Sequence, residues 1–431
     1  MTPETITEKP QADSKPLLSA AIVIFIAFVG TVLSQPQILG RIPIQNLLKN
    51  ELHVDRAGNA AFFFWIGLAW YFKPFVGIIT DAFPIFGTRR RSYMILGATL
   101  ATLGWIAFYF TPHQYNKLLI VAMFIDLFMV VASTAAGGYM VEAAQATSGS
   151  GRLSSVRNLA EQFSILVAGP AAGFLGSIAF GWTAAACGTV MFLMVPGTVL
   201  FLHERRIKID SKALLGNAGQ QLVNVINAKT MWAAAGLMAL FYCAPGLYTA
   251  VFYKQQNDLH FTTQGQGYLQ LLSGLFGMAA AAVYGGYACR RLSLRKLLII
   301  SILFGMAANL VYLFYSSQAR AVAIESFNGF GFVMAEVALM DLAVRATPAG
   351  SEGLGFSLMI SVRNLMLFGS DWFGSKMLET YHLSFNTLVL ANATITFLAV
   401  PLVFLLPKVI LNARDADATQ SAVELVPAKA E

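Results

Sequence analysis

The chain has 431 residues, 57% of them hydrophobic and only 12% charged, with a formal net charge of +7. That balance excludes a soluble globular domain. The excess positive charge sits in loops between apolar runs, which points to anionic lipid headgroups rather than to nucleic acid.

Residues 1–16 read as a polar cytoplasmic tail with no removable signal peptide. About twelve apolar runs follow, at 17–37, 58–80, 93–111, 117–143, 153–179, 182–202, 231–253, 265–289, 297–316, 320–345, 355–380 and 386–408. Each is long enough to cross a ~30 Å hydrocarbon core. The polar stretch 204–229 divides them into 17–203 and 230–410, and residues 411–431 read as a disordered tail. Basic residues cluster at Arg89–Arg91, at Arg205, Arg206, Lys208, Lys212 and Lys229, and at Arg290, Arg291, Arg295 and Lys296. This alternation predicts a multi-pass protein of the cell membrane with both termini in the cytoplasm.

The two parts of the chain resemble each other. Ser155-Val156-Arg157-Asn158-Leu159 recurs as Ser361-Val362-Arg363-Asn364-Leu365, and Asp126 and Glu142 in the fourth span match Glu325 and Asp341 in the tenth. The second span ends Gly77-x-x-x-Asp81, whereas the eighth ends Gly285-x-x-x-Cys289, so the second copy lacks the acid. Repeats of about six helices are the signature of major facilitator transporters. The expected fold is therefore all-α, with twelve transmembrane helices in two six-helix pseudo-repeats and a substrate site between them.

Ionisable side chains within spans are functional candidates, because burying them unpaired is unfavourable. Asp126, Glu325, Glu336 and Asp371 have no cation of their own helix spaced to neutralise them, so they are candidates for carrying a proton. Glu336 is the first choice, with no cation within four residues on either side. Lys73, Arg157 and Arg363 are candidates for holding an anionic solute, with Gln35 and Tyr242 as polar and stacking contacts. Arg157 has Glu161 one turn away; Arg363 has Leu367 there, which predicts a freer charge. Asp81, Arg89, Arg90, Arg91, Glu142 and Asp341 read as a gate at the helix ends. Glu142, Arg157, Asp341, Arg345 and Arg363 also fit a purely structural ion-pair lattice.

The string Lys73-Pro74-x-x-Gly77-x-x-x-Asp81-x-Phe83-Pro84-Ile85-Phe86-Gly87-x-Arg89-Arg90-Arg91-x-Tyr93 resembles the folate–biopterin transporter family of the major facilitator superfamily. Leu48-Lys49-Asn50-Glu51-Leu52, and Glu142 with Gly151 around the fourth connection, extend the resemblance through most of the first half. It implies transport of a planar, anionic solute such as a folate or pterin, with protons as the coupling ion. The family usually has aspartates in the middle of the fourth span, where this chain reads Ser133-Thr134-Ala135-Ala136. Export or uptake of an unrelated metabolite, such as a peptidoglycan fragment, therefore stays open.

No enzyme is expected. His53, His113, His203, His260 and His382 lie in or beside loops without metal-ligand spacing, and no P-loop exists. Cys187, Cys243 and Cys289 lack paired spacing. No cofactor or metal is implied, the partners are a small-molecule substrate, protons and membrane lipid, and a monomer is expected. A membrane enzyme would need a convergent nucleophile and a sensor an output domain; neither is visible.

Overall fold

The computed structural model describes residues 14–54, 62–63, 65–176, 178–204, 214–379, 381–412 and 414. The first thirteen residues, the start of the second span, residues 205–213 and the tail from 415 lie outside the described residues. The first helix, α1 (Ser14–Leu33), takes in the last three residues of the expected polar tail and ends just before Pro36, which removes a backbone donor. The second span is interrupted: a short turn Leu68–Tyr71 precedes α2 (Lys73–Ala82), which has Pro74 in its first turn. Then come α3 (Arg91–Phe110), α4 (Tyr115–Thr147), α5 (Ser150–Leu175) and α6 (Phe180–Phe201). A linker helix (Leu214–Asn227) lies within the segment read as polar loop.

In the second half, α7 (Lys229–Tyr242) stops at Cys243 and resumes as Tyr248–Asn257, with Pro245 in the break. The remaining long helices are α8 (Thr263–Val283), continued to Arg291 through a π-helical turn, α9 (Leu294–Leu310), α10 (Gln318–Ala346), α11 (Glu352–Glu379) and α12 (Phe385–Val403). Among the described residues, eight helices are long and apolar enough to cross a membrane: α3, α4, α6, α8, α9, α10, α11 and α12. At 33 residues, α4 is roughly 50 Å long and reaches well past a hydrocarbon core.

Burial separates inner helices from outer ones. The most apolar window of α10 is 72% buried and that of α4 56%, against 39% for α6, α9 and α12. Each half packs mainly on itself, with α3 on α4 and α6, and α10 on α8 and α9. The halves meet where α2 crosses α11, α5 crosses α8, and α4 and α5 touch α11 and α10. Two glycines set the closest of these crossings. A methyl group on Gly77 would stand 2.5 Å from Ser357 Oγ and 2.6 Å from the Gly353 carbonyl; one on Gly285 would stand 2.5 Å from Ser155 Cβ. Gly286, one residue on, faces open space.

Overpacking of this kind disfavours the fold by about 1–3 kcal/mol, more than the ~1 kcal/mol of helix propensity alanine gains over glycine. Gly77→Ala and Gly285→Ala should each lower the thermal unfolding midpoint of the purified protein, and Gly286→Ala should not. Equal midpoints for all three would show that the crossings have room to spare.

Candidate functional site

At the end of the molecule where α2 stops, one carboxylate joins the two halves. Asp81 is buried and accepts hydrogen bonds from the backbone amides of Gly353 (3.0 Å) and Leu354 (2.9 Å), the first turn of α11. Those amides have no partner within their own helix, and the helix dipole favours negative charge there. Arg90 Nη1 lies 2.6 Å from the same carboxylate, while its Nε and Nη2 donate to Glu142 at 3.0 and 2.8 Å. Arg90 is fully buried. Gly138 in α4 makes room for it, since a methyl group there would stand 2.6 Å from the guanidinium carbon.

Of the three arginines, only Arg90 brings its side chain to this latch. Arg89 and Arg91 contribute main-chain amides to Glu204, at 2.7 and 2.8 Å, and Arg91 also donates to the Val199 carbonyl. Glu204 thereby caps α3. At the matching end of the second half, Asp341 is bound by Arg345 Nε at 2.7 Å and by the Tyr284 hydroxyl at 2.9 Å. The expected lattice is thus two separate clusters, and Arg157 and Arg363 belong to neither.

Those two arginines meet elsewhere, in a buried cluster drawn from both halves. Glu161 takes Arg157 Nη1 at 3.2 Å on one oxygen and lies 3.7 Å from Arg363 Nη2 on the other. Arg363 also pairs with Glu336, donates to Asn364 at 3.0 Å and stands over the Tyr242 ring at 5.5 Å. Arg157 stands over Phe28 at 5.2 Å. Lys73, within electrostatic reach of Arg157, Glu161 and Arg363, donates to Ser133 Oγ at 2.9 Å and lies 5.2 Å from the Trp70 ring. Three basic side chains, Lys73, Arg157 and Arg363, thus gather around two carboxylates, Glu161 and Glu336.

This placement corrects two expectations. Arg363 is not the freer cation, because α10 supplies Glu336 and α5 supplies Glu161. Glu336 is not unpaired, because its partner comes from α11 rather than from its own helix. Lys73, Arg157, Arg363, Tyr242 and Glu336 do converge. Gln35 does not join them: its amide donates back to the Thr31 carbonyl at 2.9 Å.

The other candidate acids lie apart, and two of them are held by neutral donors. Asp126 accepts from Gln37 Nε2 at 2.5 Å and Trp70 Nε1 at 3.1 Å. Glu325 accepts from Gln255 (3.0 Å), Tyr312 (3.1 Å) and Tyr315 (2.8 Å). Asp371 is half-buried beside the break after α7, where the Gly246 amide binds the Ser370 carbonyl. Sequence reasoning missed Glu161 as a bridge between halves and the two tyrosines around Glu325; it noted the amides of Gln35 and Gln37 and the stretch from Ser133, but not that Gln37 meets Asp126 and Ser133 meets Lys73. The recurrence of Ser155-Val156-Arg157-Asn158-Leu159 as Ser361-Val362-Arg363-Asn364-Leu365 was the available signal for the first, since the two matching arginines both meet Glu161. Among the described residues no group of three or more potential metal ligands occurs.

Removing the charge of Glu161 leaves Arg157 and Arg363 facing each other with Glu336 alone. Breaking a buried pair is unfavourable by several kcal/mol; Glu161 is partly exposed, so about 2 kcal/mol is expected. Glu161→Gln should lower the unfolding midpoint clearly, while Glu51→Gln, in an exposed pair with His113, should leave it within error. Matching midpoints for the two variants would show that Glu161 does not hold the halves together.

Comparison with known proteins places this architecture. Residues 37–424 match the model of the BT1 family. A "Folate-biopterin transporter" of Synechocystis is 25% identical over 422 residues, covering 93% of this chain and 84% of that protein. "Folate transporter 1" of Plasmodium falciparum is 22% identical over 379 residues, covering 83% and 72%. Among solved structures, the human organic anion transporter MFSD10 superposes with a TM-score of 0.68 at 13% identity, covering 91% of this chain and all of that one. The major facilitator transporter FucP in its outward conformation gives 0.67 at 12% identity, covering 91% and 99%. The fold is that of the major facilitator superfamily.

Proposed function

The chain belongs to the BT1 family and is a multi-pass membrane transporter, and on that premise we propose that it moves a small, planar, anionic solute of the folate or pterin type by proton symport. The observation that carries this reading is the buried cluster of Lys73, Arg157, Arg363, Glu161 and Glu336, which sets three basic side chains against two carboxylates and is built from both halves. A solute carboxylate entering there supplies a third acidic group, and the flat rings of Tyr242 and Trp70 border the basic side chains it would meet. The names of the Synechocystis and Plasmodium relatives support the folate and pterin class.

In this reading twelve membrane crossings form two six-helix repeats that rock about the cluster, with both termini in the cytoplasm and the chain working as a monomer. The Asp81–Arg90–Glu142 latch then closes the cytoplasmic side, and Glu336 carries the proton: once protonated it releases Arg363 for the solute. A second reading keeps the fold and changes the cargo. Lys73 meets the hydroxyl of Ser133 in the stretch where the family resemblance fails, so the moiety recognised at Lys73 differs from that of relatives with an acid there. A thermal-shift screen of purified protein against folates, pterins and unrelated metabolites separates the two, because stabilisation by folates or pterins alone supports the first.

With the stabilising ligand as probe, Asp81→Asn should slow the transport cycle while equilibrium affinity stays within a few-fold. A tenfold loss of binding, about 1.4 kcal/mol, would place Asp81 in the binding site instead.

Glu336→Gln mimics the protonated carboxyl. The variant should retain ligand binding and counterflow exchange but lose accumulation driven by a proton gradient. Wild-type accumulation with an unchanged pH profile would remove Glu336 as the proton carrier; loss of exchange as well would make it structural.

A further inference from the structure

The linker helix Leu214–Asn227 has three faces rather than two. Gln221 and Val225 are buried against the protein, at 5% and 4% exposure. Leu222, Val223 and Ile226 are 44%, 48% and 59% exposed and span an arc of about 100° at 3.6 residues per turn. Gln220, Asn224 and Asn227 occupy a separate, polar arc, where Gln220 donates to Asn224 at 2.9 Å. A linker crossing open water has no use for an apolar outer stripe. A helix lying along a membrane surface needs all three faces: protein, acyl chains and water.

The surroundings agree. The apolar stripe runs into an open groove completed by Phe75 and Ile78 of α2 and by Leu354 and Leu358 of α11. Leu354 is the residue whose amide binds Asp81, so the groove begins at the latch. Gln221 lies under the start of α11, with its carbonyl near Ser351 Oγ. The chain entering the helix carries Arg205, Arg206, Lys208 and Lys212 against one acid, Asp210, and Lys229 follows the helix. Glu204, the other nearby acid, is already bound to the amides of residues 89–91.

We propose that the linker helix lies in the membrane interface on the latch side, with Leu222, Val223 and Ile226 among the acyl chains and Gln220, Asn224 and Asn227 toward water, on a surface of anionic phospholipid. The leaflet then holds the helix against both α2 and α11, and so holds the latch shut. The sequence selects anionic lipid as the partner, because five basic residues adjoin the helix along the chain and a zwitterionic surface gives them no net attraction. The proposal is independent of what the cluster transports.

Single nitroxide labels at Leu222→Cys, Ile226→Cys, Gln220→Cys and Asn227→Cys, with Cys243 replaced by serine, test it on the full chain. The protein is reconstituted in phosphatidylcholine vesicles with and without phosphatidylglycerol. Labels at 222 and 226 should be relaxed mainly by oxygen, which concentrates in lipid, and those at 220 and 227 mainly by a water-soluble nickel chelate. Phosphatidylglycerol should increase the contrast. Nickel-dominated relaxation at all four sites, or protection of 222 and 226 from both reagents, would overturn the interfacial placement. A contrast identical in the two lipid mixtures would overturn the assignment of anionic lipid as the partner.

Discussion

A guanidinium keeps its charge at any pH the protein meets, so Arg363 can be buried only beside carboxylates. Those carboxylates come from two other helices, Glu336 on α10 and Glu161 on α5. Meeting this need sets where α5, α10 and α11 stand relative to one another, and it does so across the boundary between halves. The latch obeys the same rule with different parts. Arg90 is buried because Asp81 and Glu142 face it, and Asp81 in turn ties α2 to the first turn of α11. Since breaking a buried pair is more unfavourable than never forming it, the two cross-half ion clusters give the helix packing its register.

The two kinds of acid environment suggest a division of labour. Glu161 and Glu336 are held by cations, so a change in their charge alters what the cations are free to bind. Asp126 and Glu325 are held by amides, an indole and phenols. A carboxyl in such a cage keeps most of its hydrogen bonds whether or not it carries a proton, and no cation is released. Each cage also takes a glutamine from the first span of its half: Gln37 just past the end of α1, Gln255 two residues before the end of the helix that follows the break in α7. Cages of this kind pin each half's first span to its neighbour, a structural role distinct from the one proposed for the cluster.

What could be read from the sequence is what depends on neighbours along the chain. Hydropathy located the long helices to within a few residues, and the repeat of Arg157 as Arg363 marked two members of the cluster. Pairings between helices were beyond its reach. Glu336 has no cation within four residues of chain, and only the packing of α10 against α11 shows that Arg363 sits beside it. Arg89, Arg90 and Arg91 are alike as a string, but their positions at the start of α3 aim only the middle side chain inward. Gln35 and Gln37 are likewise separated by geometry, since the turn at Pro36 sends one back to its own helix and the other across to Asp126.

The loss of the second acid in the repeat also has a physical counterpart. Asp81 crowds Gly353, and Cys289 crowds Gly151 in the same way across the other pair of helices: added methyl groups would stand 2.5 Å and 2.6 Å from them. A thiol is a weaker acceptor than a carboxylate and carries no charge, so Cys289 does not bring to the start of α5 the negative charge that Asp81 brings to α11. Asp341 of α10 lies at the same place, 3.0 Å from that methyl position on Gly151, and is itself held by Arg345 and Tyr284. The charge that closes the second crossing is thus carried by α10 rather than α8. α10 also carries Glu336, five residues earlier, so one rigid helix links that crossing to the central cluster, whereas Asp81 and Lys73 give α2 the same double role in the first half.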